Sequence, residues 1–255
     1  MTDAMHALEL DSAALAAQTI LESSGETSRA EDTALRMCAA FQLEGAQIMA
    51  FPTGFMLSAV TRDGLQTRVF RISERSIRLD RIDEVNAISR KVAKGALSAA
   101  DAWRLLNELR ARPSQPWYLA SLFYALAAAF FTVMFGGWVK EFLLSFLIGF
   151  LVQTIQFPLS RHGVPGQLRA FILGFLAAAL AALAMRALPG GQEALLTGII
   201  MPLLPGLAMT NAIRDTIRGD LISGLARGAE ALISAVLLSA GAAAALWLQG
   251  MIWTA

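Results

Sequence analysis

The sequence predicts an α+β cytoplasmic domain followed by an all-α polytopic membrane domain of five transmembrane helices. Three observations carry that expectation. The 255 residues are 56% hydrophobic and only 16% charged, where a soluble domain carries about 25% charged residues. The charge is uneven, because 29 of the Lys, Arg, Asp and Glu residues fall within 1–112 and 12 within 113–255. After Pro116 the chain becomes a series of apolar segments, each near the ~17–25 residues that cross a hydrocarbon core about 30 Å thick. The expected domains are therefore 1–112 and 113–255, divided at Pro113 and Pro116.

In the first domain, Ala7–Ser23 has apolar residues at helical spacing and Gly25 stops it. A second helix is expected from Ser28 to Phe41, with Glu31 and Asp32 in its first turn, where the helix dipole favours acids. Ser28 and Glu31 have the spacing of a capping box. The period then changes to two in AQIMAF, GFMLSAV and QTRVFRI. Pro52-Thr53-Gly54 and Arg62-Asp63-Gly64 separate these runs, and the Asp-Gly pair predicts a hairpin. Helical period returns after Ser76 in LDRIDEVNAISRKVAKG and SAADAWRLLNELR.

The five apolar segments are Trp117–Phe135, Phe142–Pro158, Ala170–Met185, Ala194–Met209 and Ala229–Leu248. The third and fourth are short for a span. Orientation follows from Lys and Arg, which concentrate in cytoplasmic loops. Arg161 and Arg169 lie between segments two and three, and Arg214, Arg218 and Arg227 lie between four and five. The other side holds Lys140, with Arg186 near it. This bias predicts a multi-pass protein of a bacterial inner membrane, with its N-terminus cytoplasmic and its C-terminus periplasmic. The first 25 residues hold Asp3, Glu9, Asp11 and Glu22 and no basic residue, so no signal peptide is expected. The Ala-, Gly- and Ser-rich runs SAVLLSAGAAAALW and FLAAALAALAM suit close helix packing in a bilayer.

Composition also excludes several classes. One cysteine, Cys38, cannot form an internal disulfide, and His6 and His162 make no metal-ligand spacing. A net charge of +1 offers no nucleic-acid footprint. No phosphate-binding G-x-x-x-x-G-K-[ST] is present, so ATP does not drive the protein. No metal, cofactor or catalytic residue is expected.

Three constellations could carry chemistry. The stretch MPLLPGLAMTNAIRDTIRGD begins as a span and is broken by Pro202, Pro205 and Gly206. Proline in a helix interior costs about 3 kcal/mol or more, and in a membrane the freed carbonyls need partners. Such a break is either a packed kink or a discontinuous helix of the kind that builds transporter substrate sites. Were the helix to continue, Asn211, Arg214, Asp215 and Arg218 would share one face. Thr210, Asp220 and Arg227 add to this polar mouth, and a guanidinium suits a carboxylate cargo. The second constellation is GETSRAED, with Gly25, Glu26, Thr27, Arg29, Glu31 and Asp32. Either it is a helix stop and cap, or Thr27 or Ser28 is a nucleophile, although no histidine or lysine lies near in sequence to activate it. Third are acids near the membrane boundary: Glu230, a candidate for ion coupling, and Glu141 and Glu193 at the opposite interface.

GETSRAED, the FPTG turn with Pro52 and Thr53, RVFRI followed by SIRLDRIDEVNAISR, and above all LLPGLAMTNAIRDTIRGDLISGLARG resemble the threonine/serine exporter family (ThrE). The likeness is to its YjjP-like N-terminal form and covers about residues 15–248. It implies a cytoplasmic domain and a five-helix bundle that together export threonine, serine or a C4 dicarboxylate such as succinate. Full-length members carry a second membrane half, which implies that this chain is one subunit of a split exporter. Its partners would be the lipid bilayer, a small YjjB-like membrane subunit and a small-molecule substrate, in an oligomer. The competing expectation is a membrane-anchored, hydrolase-like enzyme using the Gly25–Asp32 region.

Overall fold

The change of period near Ser76 is where a small sheet gives way to helices. The computed structural model describes residues 3–61 and 64–254. Among them the chain forms helices α1 (Asp3–Glu22) and α2 (Thr27–Ala40), strands β1 (Glu44–Phe51), β2 (Gly54–Thr61) and β3 (Gly64–Arg71), then α3 (Leu79–Ala93) and α4 (Ala99–Ala111). The apolar half follows as α5 (Trp117–Met134), α6 (Val139–Arg161), α7 (Gly166–Ala187), α8 (Gln192–Ile200), a 3-10 turn (Met201–Leu203), α9 (Gly206–Ile217) and α10 (Leu221–Thr254). Two compact units result: Met1–Pro113 with Leu207–Gly228, and Ser114–Gly206 with Ala229–Ala255. The polar stretch after the helix break thus packs with the first unit.

In that unit the sheet is antiparallel in the order β1-β2-β3. Phe51 pairs with Gly54, so Pro52 and Thr53 form a two-residue hairpin turn. A side chain at Gly54 would lie 2.5 Å from the Phe70 carbonyl oxygen, so the turn needs glycine. Arg62 and Asp63, at the second expected hairpin, lie outside the described residues, and Thr61 pairs with Gly64 across them. Phe55, Leu57, Ala59 and Thr61 alternate inward along β2, with Met56 and Val60 outward. Phe55 stacks on Phe70 with ring centroids 5.1 Å apart. The core between sheet and helices centres on α1, which is buried from Ala13 to Ala17 and again at Ile20 and Leu21. Buried all round, α1 needs internal partners for its hydroxyls. Ser12 donates to the carbonyls of Leu8 at 2.7 Å and Ala99 at 3.0 Å, and Thr19 donates to Leu15 at 2.7 Å.

The start of α2 departs from expectation. It begins at Thr27, its N-cap is Glu26, and no side chain caps it. The Ser28–Glu31 capping box does not form, because both side chains have tertiary partners described below. Glu31 and Asp32 fall beyond the first turn, where the dipole would have favoured them.

The second unit packs through small residues. Ser121, Ala125, Ala128, Ala129 and Thr132 line the buried face of α5. A Cβ on Gly149 of α6 would meet Ala128 at 3.1 Å. Phe123, Phe130, Leu143, Leu147, Leu232 and Val236 face outward, as in a helix bundle solvated by lipid. Among the described residues four helices are long and apolar enough to cross a membrane, namely Trp117–Met134, Val139–Arg161, Gly166–Ala187 and Leu221–Met251. The residues Gln192–Leu203 and Gly206–Ile217 qualify only together, as one interrupted span, which would make five. The third segment is not short as expected, since α7 has 22 residues.

The interruption has a local cause. Pro202 and Pro205 lack N–H groups, and Leu204, before Pro205, is extended (φ −62°, ψ 140°). Two carbonyls at the break find protein donors. Tyr124 Oη donates to the Ile199 oxygen at 2.7 Å, and the Leu204 N–H to Met201 at 3.2 Å.

Backbones touch where α7 meets α10. A side chain on Gly174 would strike the Leu238 carbonyl, and one on Gly241 the Phe171 carbonyl. Gly174→Leu and Gly241→Leu should each lower stability by at least the about 1–3 kcal/mol that overpacking costs. Gly250→Ala, whose Cβ meets nothing within 4 Å, should not. Thermal unfolding in detergent measures the difference.

Candidate functional site

The site is built from two turns of chain in the first unit. The first follows α1, where Ser24 takes a left-handed conformation (φ 60°). Gly25 then passes so close to α1 that a Cβ would lie 2.5 Å from the Ile20 side chain and 2.9 Å from its carbonyl oxygen. Only glycine fits, and the tight turn leaves the Ser24 and Gly25 carbonyls free of α1. The second is the helical hairpin of α9 and the start of α10, which turns at Gly219 (φ 93°). A side chain at Gly224 would strike Thr216, so glycine lets the two helices close.

The two turns meet residue by residue. Asn211 Nδ2 donates to the Ser24 carbonyl at 3.0 Å, and Arg227 Nη2 to the Gly25 carbonyl at 2.7 Å. Glu26 receives Arg214 and, at 3.3 Å, Arg29. Thr27 Oγ1 donates to Asp215 Oδ2 at 3.2 Å, and Ser28 Oγ accepts from Arg218 at 2.6 Å. Asp215 also pairs with Arg227 Nε at 3.1 Å, as an ion pair without hydrogen-bond alignment. Asp215 and Thr27 are fully buried and Arg227 is 3% exposed, whereas the Arg214 and Arg29 side chains are 46% and 40% exposed. The cluster has a dry centre, Thr27–Asp215–Arg227, and a wetter edge, Arg29–Glu26–Arg214.

A cavity of roughly 280 Å³ opens at that edge. Glu26, Arg29, Asn211 and Arg214 contribute polar groups, as do Asp83 and Asn86 of α3. Asp83 and Asn86 are new to the site. Their signal in the sequence is helical spacing, since Leu79, Ile82, Asp83 and Asn86 share one face of α3. Tyr124, at the helix break, carries no such signal.

The remaining candidates are placed as follows. Pro202, Pro205 and Gly206 form the break and do not line this cavity. Thr210 is exposed and lines a second hollow with Ile213, Ile217, Arg218 and Arg214, the last of which borders both. Arg218 lies just past α9, and the Asp220 N–H donates to the Asp215 carbonyl at 2.9 Å. Glu31 Oε1 accepts from the Ala50 N–H at 2.8 Å, and Asp32 is exposed. Pro52 is buried in its turn, and the Thr53 carbonyl accepts from Ile72 at 2.9 Å. Glu230 lies in α10, partly buried. Glu141 holds the start of α6 by accepting from the Trp138 N–H at 2.9 Å. Thr27 and Ser28 are engaged by Asp215 and Arg218, which gives them a structural use.

Comparison with known proteins identifies the family. Residues 11–249 match the family described as "Putative threonine/serine exporter" (ThrE). The chain is similar to a Klebsiella aerogenes protein named "Probable succinate transporter subunit YjjP", 21% identical over 91% of this chain and 90% of that one. It is also similar to a "Probable threonine/serine exporter" of Mycobacterium tuberculosis, 26% identical over 85% of this chain and 41% of the relative. A "Threonine/serine exporter" of Corynebacterium glutamicum is 28% identical over 60% of this chain and 32% of the relative. The chain thus spans under half the length of these two exporters. No solved structure matches it.

Two expected outcomes follow from the site. Removing one member of a buried ion pair strands the other charge, at about 3–5 kcal/mol. Arg227→Ala should therefore destabilise the protein by about that amount, and pairing it with Asp215→Asn should restore much of the loss in thermal unfolding. Burial lifts the Glu31 carboxyl above its usual range; the Ala50 N–H pulls it back, and Asp220, Asp32 and Asp215 raise it again. The fold therefore favours neutral Glu31, a contribution complete at low pH and lost as pH rises through the raised value. Glu31→Gln should melt above the unmodified protein at pH 7.5 and converge with it on acidification.

Proposed function

We propose, because the chain belongs to the threonine/serine exporter family, that it is one subunit of an inner-membrane secondary exporter of small carboxylate-bearing metabolites. Its family transports rather than catalyses. The finer reading is that it acts with a small YjjB-like membrane subunit and moves threonine and serine or a C4 dicarboxylate. The near full-length likeness to a relative named as a transporter subunit supports the need for a partner. One observation carries the assignment of the path: the meeting of the α1–α2 turn with the α9–α10 hairpin around exposed guanidiniums and a water-accessible cavity.

On this reading the protein has five spans, the fourth broken at Pro202–Gly206, with residues 1–112 cytoplasmic and the C-terminus periplasmic. The basic residues Arg161, Arg169, Arg214, Arg218 and Arg227, which cluster between the apolar runs on one side, support that orientation. Cargo is loaded at the polar mouth, where Arg214 engages its carboxylate and Asn211, Arg218 and Asp220 line the approach. Asp215 and Arg227 position the hairpin from within. Thr210 and the break at Pro202, Pro205 and Gly206 continue the path, and Glu230 is the candidate for ion coupling.

The test is efflux from vesicles holding the chain and its partner, loaded with labelled L-threonine or succinate. Arg214→Ala should reduce export of the transported cargo to the level of empty vesicles, with insertion and protein amount unchanged. Undiminished export by that variant would remove the assignment of the site.

A further inference from the structure

The cavity beside Glu26 is small but chemically asymmetric. Its roughly 280 Å³ lies just below the ~300 Å³ at which ligand pockets usually begin, which suits only a small ligand. Two helix faces wall it. Leu79, Ile82, Asp83 and Asn86 come from α3, and Leu207, Asn211 and Arg214 from α9, both at helical spacing. The Ser24–Glu26 turn and Arg29 complete the lining.

Charge within it is divided. Glu26 is one carboxylate shared by two guanidiniums, Arg29 and Arg214, so this cluster keeps one positive charge in excess. Both guanidiniums are partly exposed and have donors to spare. Asp83 supplies one negative charge. Among the described residues neither the Asp83 nor the Asn86 side chain holds a hydrogen bond or ion pair, although both line the cavity. Leu79, Ile82 and Leu207 add apolar surface.

We infer that this cavity binds a small zwitterion of the α-amino-acid type, with Asp83 as the residue that selects it over a dianion. The ligand carboxylate engages Arg214 and Arg29, and its ammonium engages Asp83. Asn86 and Asn211 serve a polar side chain, and the three aliphatic residues serve its carbon atoms. A dicarboxylate of similar size would bring a second negative charge against Asp83 and lose a partner for it. The inference deepens the exporter reading and rests on it for the fate of the ligand, but the binding site stands on the cavity itself.

Equilibrium binding of labelled L-threonine to the purified full chain in nanodiscs tests this, with succinate as competitor. The unmodified protein should bind threonine, and succinate should compete at least about tenfold more weakly, the scale of one charge-assisted hydrogen bond. Asp83→Asn should weaken threonine about tenfold, and Asp83→Lys should reverse the preference toward succinate. Asp83 is exposed, so these variants should elute and melt like the parent. Absent threonine binding, equal binding of succinate, or unchanged selectivity in both Asp83 variants would overturn the inference. Vesicle efflux separates the two readings. Arg214-dependent export with selectivity indifferent to Asp83 retains the exporter and removes this site. Asp83-dependent binding without export of either compound retains the site and removes the exporter reading.

Discussion

The buried pair of Asp215 and Arg227 is the constraint on which the rest of the first unit's site depends. Taking both charges out of water costs several kcal/mol per ion, and their attraction repays it only with further hydrogen bonds. Those come from the α1–α2 turn: the Thr27 hydroxyl for the carboxylate and the Gly25 carbonyl for the guanidinium. The turn must therefore be tight enough to offer a carbonyl outward. That requirement explains the left-handed Ser24 and a Gly25 with no room for a Cβ. A loop and a helical hairpin nearly 190 residues apart in the chain are held in register by this dry contact and by the Asn211, Arg214 and Arg218 hydrogen bonds around it.

Around it the interactions grade from structural to available. Asp215, Thr27 and Arg227 are closed to water, while Arg214, Arg29 and Asp83 border a cavity. Charges at such an edge are weak stabilisers, because water screens them. The same exposure leaves their hydrogen-bonding capacity open to a ligand. α10 is one continuous helix that carries Arg227 near its start and a long apolar run after it. The helix that carries Arg227 is thus also long and apolar enough to cross a membrane.

Much of the fold was legible, because periodicity and turn chemistry are local. The three strands, α3, α4 and α5 to α7 came within a few residues of their expected places, whereas the fifth apolar segment, expected over Ala229–Leu248, is part of a longer helix, Leu221–Thr254. The cap of α2 differs from the expected one for a physical reason. Ser28 and Glu31 have capping-box spacing, but Arg218 and the Ala50 N–H claim their side chains. A local motif competes with partners that local sequence cannot display. The Pro-Gly break was equally plain, yet its partner was not. Tyr124 reads as one more aromatic residue of a span until its hydroxyl meets the Ile199 carbonyl.

By itself the sequence determined the division into a charged α+β part and an apolar helical part, and the polar character of GETSRAED and TNAIRDTIRGD. These depend on composition and short-range spacing. Tertiary structure alone decided that the two motifs meet in one polar cluster, and that Asp83 and Asn86 border the cavity beside it. Such pairings depend on close approach between segments far apart in the chain. Here that approach is permitted by the missing side chains of Gly25 and Gly224 and secured by a charge pair that water cannot reach.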